Sequence, residues 1–264
     1  MRGDQDAAGP QRARSAWGDE LDTLIHEGDA EVLLALLENP HMQEPQVSRL
    51  LERLDLSAEL LENVAKEGKW SSSESVRIRL ARHPHTPRRV ALSMLRQLFL
   101  FDLVRVSLLP SAPADIRRAA EELIIARLPH LPIGEKLTLA RRGPARVAGA
   151  VLAEGHPQAV KLALANSFLT ESQVLKILAK RELPERVVVA IAQHPKWSVQ
   201  YNVRVALVRH PHTPVPALLE FLPDLTLGDL QDVEGLEQLT AHSRKYVQQE
   251  LARRASNVRN DCGS

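Results

Sequence analysis

The hexapeptide RHPHTP occurs twice in this chain, at residues 82–87 and 209–214, and it restricts the backbone more tightly than any other stretch. A residue that precedes proline is pushed out of the helical region, so the helix before the hexapeptide has to end near His83. A partly protonated His83 would suit the negative end of that helix. Thr86 is predicted to cap the next helix, with Pro87 in its first position. The hexapeptide therefore predicts a helix end, a turn and a new helix start.

The phrase around the hexapeptide recurs along the chain at intervals of about 25 residues, which is typical of a repeat array. The two copies that match best, residues 76–103 and 203–230, are 127 residues apart and share the same spaced leucines and an aspartate. Each copy predicts a pair of short antiparallel helices. With the first proline of the hexapeptide as reference, the repeat anchors are Pro40, Pro84, Pro110, Gly143, Phe168, Pro195 and Pro211.

Composition favours an all-α fold built from such pairs. Aromatic residues make up 3% of the 264 residues and hydrophobic residues 44%, so the core has to consist of Leu, Ala, Val and Ile, which suit interlocking helices. A single domain is expected over residues 17–254, because the anchors run through the middle of the chain without a Gly/Ser linker. Disordered tails are expected at residues 1–16 and 255–264.

The pattern L-A-x-H-P-x-T-P, followed by spaced leucines and a short V-R helix, resembles the leucine-rich repeat variant, a bacterial relative of HEAT repeats. The resemblance extends over about residues 32–222 and is strongest in the two copies that carry the hexapeptide. It implies a right-handed α-α superhelix, with α-helices in one layer and often shorter 3₁₀ helices in the other. The founding type of this family carries a cysteine-ligated iron–sulfur domain. This chain has one cysteine, Cys262, so that cofactor is not expected.

The paired histidines of the hexapeptide raise the alternative of a metal site. Stacked helices lie about 8–10 Å apart, so copies several repeats apart are too distant to share an ion. A group that recurs in phase with the repeats is expected to belong to the scaffold. The sequence also lacks the motifs of nucleophilic catalysis, phosphate binding and zinc peptidases. We therefore expect a non-enzymatic protein without cofactor or metal. The four histidines considered are His83, His85, His210 and His212.

Charge is distributed unevenly, although the net charge is +1. Residues 1–67 hold 6 Lys/Arg against 15 Asp/Glu, whereas residues 77–146 hold 14 against 5. This asymmetry predicts an acidic flank beside a basic surface, or two regions that neutralise each other.

Basic residues recur at two fixed positions before the anchors, and equivalent positions of a solenoid form a ladder along one surface. This basic ladder is the candidate partner-binding surface. The alternative is that each basic residue bonds a carboxylate of a neighbouring repeat or caps carbonyls at its own helix end. Seven residues before the anchors stand Arg77, Lys136, Lys161 and Arg204. Two residues before the anchors stand Arg82, Arg141 and Arg209.

The sequence favours a non-enzymatic α-solenoid scaffold that binds a protein or peptide, with an acidic partner as the candidate, through its concave surface. The alternative is nucleic-acid binding, in the manner of the HEAT-like alkylpurine DNA glycosylases, with the basic middle third along the phosphates. An enzyme whose site residues are scattered in sequence is a third hypothesis. A cytoplasmic location is expected, because the N-terminus lacks the apolar run of a signal peptide and no later apolar stretch is long enough to span a membrane.

Overall fold

The computed structural model describes residues 3–180, 182–237 and 239–261, and within these ranges it contains α-helices, short 3₁₀ helices and turns but no β-strand. The predicted all-α fold is confirmed. No helix in the described part of the chain has the length and apolar character needed to cross a membrane. The contacts of the chain fall into two compact units, Met1–Arg127 and Leu128–Ser264.

The first unit consists of two rows of short helices. In one row α3 packs on α1 and α5, and in the other α7 packs on α4 and α9. The rows are joined where α7 packs on α8 and α9 packs on α10. The bounds are α1 (Gly3–Ser15), α2 (Asp19–Leu24), α3 (Ala30–Leu37), α4 (Glu44–Leu50), α5 (Ala58–Lys66), α6 (Gly68–Ser71), α7 (Glu74–Arg82), α8 (Arg88–Arg96), α9 (Leu100–Leu108) and α10 (Ala114–Arg127).

The second unit repeats this order. Along one row α13 packs on α11 and α15, and along the other α12, α14, α16 and α18 pack successively on one another. Two 3₁₀ helices lie at Leu128–His130 and Leu222–Asp224. The α-helices are α11 (Ile133–Arg142), α12 (Ala145–Glu154), α13 (Pro157–Leu164), α14 (Glu171–Leu178), α15 (Glu185–Gln193), α16 (Tyr201–Arg209), α17 (Val215–Phe221), α18 (Leu227–Glu234) and α19 (Ala241–Asp261).

The two units also make the same hydrogen bonds at positions 127 residues apart. The side chain of an arginine in α10 and of another in α19 donates to a carbonyl 29 residues earlier, and a buried asparagine in each unit donates to a carbonyl 26 residues earlier. This agreement extends the duplication seen in residues 76–103 and 203–230 to both units. The matched bonds are Arg127 to Leu98 with Arg254 to Leu225, and Asn39 to Ala13 with Asn166 to Ala140.

The helix break predicted from the hexapeptide is present, but the predicted caps are wrong. α7 ends at Arg82 and α8 begins at Arg88, and the N-cap residue of α8 is Pro87, which makes no side-chain cap bond. Thr86 therefore lies one residue too early to cap α8. In the second copy the Thr213 hydroxyl instead donates backwards, to the Leu207 carbonyl in the last turn of α16.

The terminal segments differ from the predicted tails. Residues 3–15 form α1, which packs on α3. Ala13 and Ala16 are buried, and their carbonyls accept hydrogen bonds from Asn39. α19 continues through residue 261, because neither proline nor glycine interrupts residues 241–261. Cys262 lies outside the described residues. The single domain over residues 17–254 and the right-handed superhelix remain predictions.

Candidate functional site

The histidine before the anchor proline has a structural role that asparagine shares. In each described case a side-chain atom accepts a hydrogen bond from the backbone N–H two residues later, which holds the turn after the helix end. Because Asn39 and Asn166 are equivalent, the anchor assigned to Phe168 belongs one residue earlier, at Ser167. The pairs of side-chain acceptor and backbone donor are Asn39 and His41 (2.7 Å), His83 and His85 (3.2 Å), Asn166 and Phe168 (2.7 Å), His194 and Lys196 (3.2 Å), and His210 and His212 (3.2 Å).

This bond also fixes the protonation state of the histidines. Since Nδ1 of His83 accepts a hydrogen bond, its proton is on Nε2, which donates to the Arg53 carbonyl at 2.7 Å. Burial is the largest cause that lowers the pKa of His83, His194 and His210. The prediction of a partly protonated His83 at the helix end is therefore replaced by a neutral, buried ring.

The second histidine of each hexapeptide is likewise engaged with the backbone. Nδ1 of His85 lies 3.1 Å from the Leu56 carbonyl, and Nδ1 of His212 lies 3.2 Å from the Leu183 carbonyl. In the described part of the chain, no group of three or more His, Cys, Asp or Glu residues is placed to hold a metal ion. The hexapeptide histidines connect neighbouring turns in both units.

Two residues of the basic ladder, Arg77 and Arg204, occupy equivalent positions and bond the turn before their own helix. Arg204 Nε donates to the Ser198 carbonyl at 2.6 Å, and its guanidinium pairs with Asp224. Arg77 Nη1 lies 3.5 Å from the equivalent carbonyl, that of Ser71. Both side chains are half-buried. These arginines hold a turn against a helix within their own units.

The remaining ladder residues lie on different rows of helices. Lys136, on α11, pairs with Glu154 at 2.8 Å, and Lys161, on α13, is exposed. Arg141, also on α11, is exposed. α11 and α13 belong to one row of the second unit, whereas Arg204 lies on α16 in the other row. The structure therefore does not gather Lys136, Lys161 and Arg204 on one row of helices.

Arg209 lines a cavity of the second unit, which we call the α16 groove. Its volume is about 580 Å³, and it opens between α14, α16 and α18. Side chains from these helices and from the turn after α18 wall it, and most of them are apolar. The apolar wall residues are Leu175, Leu178, Ala179, Val205, Ala206 and Leu236.

The rim of the α16 groove is polar. The carboxylate of Asp229 accepts hydrogen bonds from the Thr226 hydroxyl at 2.6 Å and from the Tyr201 hydroxyl, and these two bonds lower the pKa of Asp229. Arg209 Nη2 lies 3.9 Å from Asp229 and 4.0 Å from Asp232, beyond hydrogen-bond distance. The side chain of Arg209 is 41% exposed. Within the described residues, its guanidinium thus faces two carboxylates without donating a hydrogen bond to either.

The region of the first unit that is equivalent to the α16 groove is divided into two cavities. Arg79 and Glu52 stand where the second unit has Ala206 and Ala179, and their side chains form an ion pair at 3.5 Å. Two separate cavities of about 170 and 450 Å³ flank this region in place of a single groove. Arg82, the counterpart of Arg209, is half-buried beside the smaller cavity. Two alanines in place of a charged pair therefore open the α16 groove.

The rim of the first unit also has a different charge. Glu74 stands in place of Tyr201, and the neighbouring carboxylate of Asp102 raises the pKa of Glu74. Two carboxylates thus meet where the second unit has a tyrosine hydroxyl bonded to Asp229. Sequence reasoning missed Tyr201, Ala179 and Ala206. A position-by-position comparison of the two 127-residue copies would have found them, since they are small or neutral where the other copy is charged.

Comparison of the chain with protein families, curated proteins and solved structures gives no match.

Proposed function

We propose that this chain is a non-enzymatic α-solenoid scaffold, of the leucine-rich repeat variant and HEAT-like type, that binds a protein or peptide partner in the bacterial cytoplasm. The α16 groove supports the proposal. Successive helices of one row present apolar side chains to solvent in a cavity whose volume is in the range of ligand sites, about 300–1,000 Å³. A repeated row of helices that leaves such a surface open is suited to an extended partner.

The chemistry of the groove favours binding over catalysis. The hydrogen bonds from Thr226 and Tyr201 lower the pKa of Asp229, and a carboxylate with a lowered pKa is a weak general base. His210, which also lines the groove, is buried, and its Nδ1 is used by the backbone of His212. Neither Asp229 nor His210 is thus suited to act as a general base, and the apolar wall is left available for contact.

The test is selection of ligands by the full-length chain from a random peptide library and, in parallel, from a random DNA pool. We expect enrichment of peptides that raise the melting temperature in proportion to the logarithm of their concentration, as ligands of the folded state do. Retention of DNA without enrichment of peptides would overturn the proposal in favour of nucleic-acid binding. In that case the affinity should fall linearly on a log–log plot against salt.

A further inference from the structure

We infer that the α16 groove takes a peptide in which an aliphatic side chain stands next to a lysine or arginine, and that the first unit does not provide this site. The inference rests on the proposed function and adds the site and the chemistry of the partner. It depends on three observations: the open apolar wall of the groove, the excess of carboxylates at its rim, and the charged pair that fills the equivalent wall of the first unit.

The wall of the groove favours an aliphatic side chain. Leu178 and Val205 belong to the wall and are buried, and the methyl groups of Ala179 and Ala206 leave free the space that a charged pair occupies in the first unit. No charged side chain stands at these four positions, so a polar group buried there would lose its hydration without a hydrogen-bond partner. Leucine, isoleucine and valine suit this surface because removal of their methyl groups from water is favourable.

The rim of the groove carries more carboxylates than cations. Arg209 faces both Asp229 and Asp232, so one negative charge remains unmatched among these three side chains. Glu171 of α14 adds a further carboxylate, which accepts a hydrogen bond at 2.9 Å from Asn202, a residue that lines the groove. Such a rim attracts a basic side chain and repels an acidic one. The groove thus favours the charge opposite to that of the acidic partner expected from the basic ladder.

Asp232 is accessible to a cation of the partner. Its side chain is 75% exposed, and its contact with Arg209 at 4.0 Å is longer than a hydrogen bond. Asp229 already accepts hydrogen bonds from the Thr226 and Tyr201 hydroxyls. An exposed ion pair strengthens binding by no more than about fivefold. The apolar wall therefore has to provide most of the affinity, while Asp232 provides the preference for a basic residue.

The first unit lacks the open wall. Glu52 and Arg79 form an ion pair where the α16 groove has Ala179 and Ala206, and the region is divided into two cavities. A partner would have to displace this ion pair before it could bury an aliphatic side chain, and such a cost is one way in which a binding site rejects a partner. One peptide is therefore expected to bind per chain.

The first unit also has the opposite charge at one position of the rim. Arg105 stands where the second unit has Asp232, pairs with Asp102 at 3.4 Å and is 72% exposed. A basic residue of the partner would meet a cation there instead of a carboxylate. Glu74 and Asp102 nevertheless keep carboxylates at this rim. The filled wall, more than the charge, thus restricts binding to the second unit.

Isothermal titration calorimetry on the full-length chain tests the site and its stoichiometry. The probes are synthetic peptides with sequences selected on the wild-type chain, acetylated and amidated at their ends so that only side chains carry charge. Each probe is paired with a copy in which Lys and Arg are replaced by Gln. We expect the selected peptides to place Lys or Arg beside Leu, Ile or Val, and to bind as one peptide per chain.

The wall is tested by transfer of the charged pair between the units. Ala179→Glu/Ala206→Arg leaves the net charge unchanged and should weaken binding by at least about tenfold, because it fills the wall. The control Glu52→Gln/Arg79→Gln removes the charges of the first unit but keeps their bulk, and binding should not change. If the groove variant loses helical circular dichroism, Ala206→Gln, which fills part of the wall with a neutral polar side chain, should weaken binding in its place.

The rim is tested by a double-mutant cycle between Asp232 and the basic residue of the probe. On the wild-type chain the Gln copy should bind about two- to fivefold more weakly, and on Asp232→Asn this difference should be smaller. Arg209→Gln should strengthen binding of the basic probe, a gain that damage to the fold would not produce. Asp232→Arg should weaken binding more than the control Glu220→Arg, which makes the same change in net charge at an exposed position of α17.

Each contrary result has a distinct meaning. Peptides that bind the wild-type chain and the folded wall variants equally would overturn the site while the proposed function stands. Equal binding of the basic probes and their Gln copies to the wild-type chain would overturn the partner chemistry. Two peptides bound per chain would overturn the restriction to the second unit. Failure of the wild-type chain to select any peptide would overturn the proposed function itself, and the inference with it.

Discussion

At the scale of the residue, the position before five of the repeat anchors is held by asparagine or histidine, and both side chains make the same hydrogen bond. Asn39 accepts the His41 N–H through Oδ1, and His83 accepts the His85 N–H through Nδ1. Both residues are buried and both also donate to carbonyls of the preceding repeat, Asn39 to Ala13 and Ala16. An imidazole can replace an amide here only while it is neutral, because protonated Nδ1 cannot accept.

This neutrality predicts how stability depends on pH. Burial is the largest cause that lowers the pKa of His83 below its ordinary value of 6.5, and His85 and Arg82 lower it further. The hydrogen bond to the Arg53 carbonyl and the charge of Asp55 oppose this shift without cancelling it. The folded state then binds fewer protons than the unfolded state, so this stability is complete above the unfolded pKa and is lost as pH falls below about 6.5. Urea unfolding at steps from pH 8 to pH 5 should show a declining free energy of unfolding.

The variant His83→Asn separates this effect from general destabilisation. Asparagine supplies the same acceptor without a titrating ring, so we expect the fold to persist and the dependence on pH to become shallower. His83→Ala should instead cost about 1–3 kcal/mol at pH 8, because the His85 N–H and the Arg53 carbonyl lose their partner. This cost should shrink as pH falls, since the wild-type chain loses the same contribution there. An unchanged pH dependence in His83→Asn would contradict the assigned role.

Charge reversal should destabilise the fold at Arg204, which holds a turn, but not at Lys161, which is exposed to solvent. Arg204 donates to the Ser198 carbonyl, pairs with Asp224 and lies 5.5 Å from the Phe221 ring centre. Arg204→Glu should therefore lower the free energy of unfolding by about 1.5 kcal/mol or more. Lys161→Glu, on the exposed surface of α13, should change it by less than about 0.5 kcal/mol. Equal melting temperatures in thermal circular dichroism would show that Arg204 does not brace its turn.

At the scale of the element, the end of a helix sets the direction of the turn that follows it. The equivalent helices α2 and α12 end differently in the two units. α12 ends at Gly155, which adopts φ 76°, the left-handed conformation common after helices. Gly28 occupies the equivalent sequence position, but α2 ends earlier and Gly28 is not in that conformation. Glycine is thus needed for a left-handed backbone conformation at Gly155 but not at the equivalent Gly28.

This contrast predicts different outcomes for one substitution. A Cβ at Gly155 would be strained by its φ and would lie 3.0 Å from Pro184 Cγ, whereas a Cβ at Gly28 would have nothing within 4 Å. Gly155→Ala should cost about 1–2 kcal/mol. Gly28→Ala should be neutral or stabilising by up to about 1 kcal/mol, through the unfolded chain. Urea unfolding of both variants measures the difference, and equal effects would contradict the assignment of strain to Gly155.

At the scale of the whole molecule, the chain carries one pattern of internal bonds twice. Arg127 and Arg254 each reach back with two guanidinium nitrogens to the same pair of equivalent carbonyl positions. The contacts fall into two units whose border lies at Arg127 and Leu128. The repeat anchors nevertheless continue across this border, from Pro110 to Gly143, without a Gly/Ser linker.

The border between Arg127 and Leu128 is therefore the place at which the prediction of a single domain can best be tested. A cooperative array should unfold in one transition, and limited proteolysis with trypsin should leave a fragment that contains both units. Stable cleavage after Arg127 into two fragments that each unfold cooperatively would contradict the prediction. Calorimetry of the intact chain, with fragments 1–127 and 128–264 as controls, distinguishes the outcomes.

The sequence alone determined the features that depend on neighbours along the chain. Proline after His83 ends α7 through steric exclusion, and the spacing of aliphatic residues specifies short helices, so the all-α fold and the helix breaks could be predicted. The predicted cap at Thr86 was wrong because α8 begins at Arg88, one residue later than predicted, so that Pro87 is the N-cap residue. Only the tertiary structure decided which row each ladder residue occupies and that Ala179 and Ala206 meet to open a groove, because these relations join helices about 25 residues apart whose packing no local rule specifies.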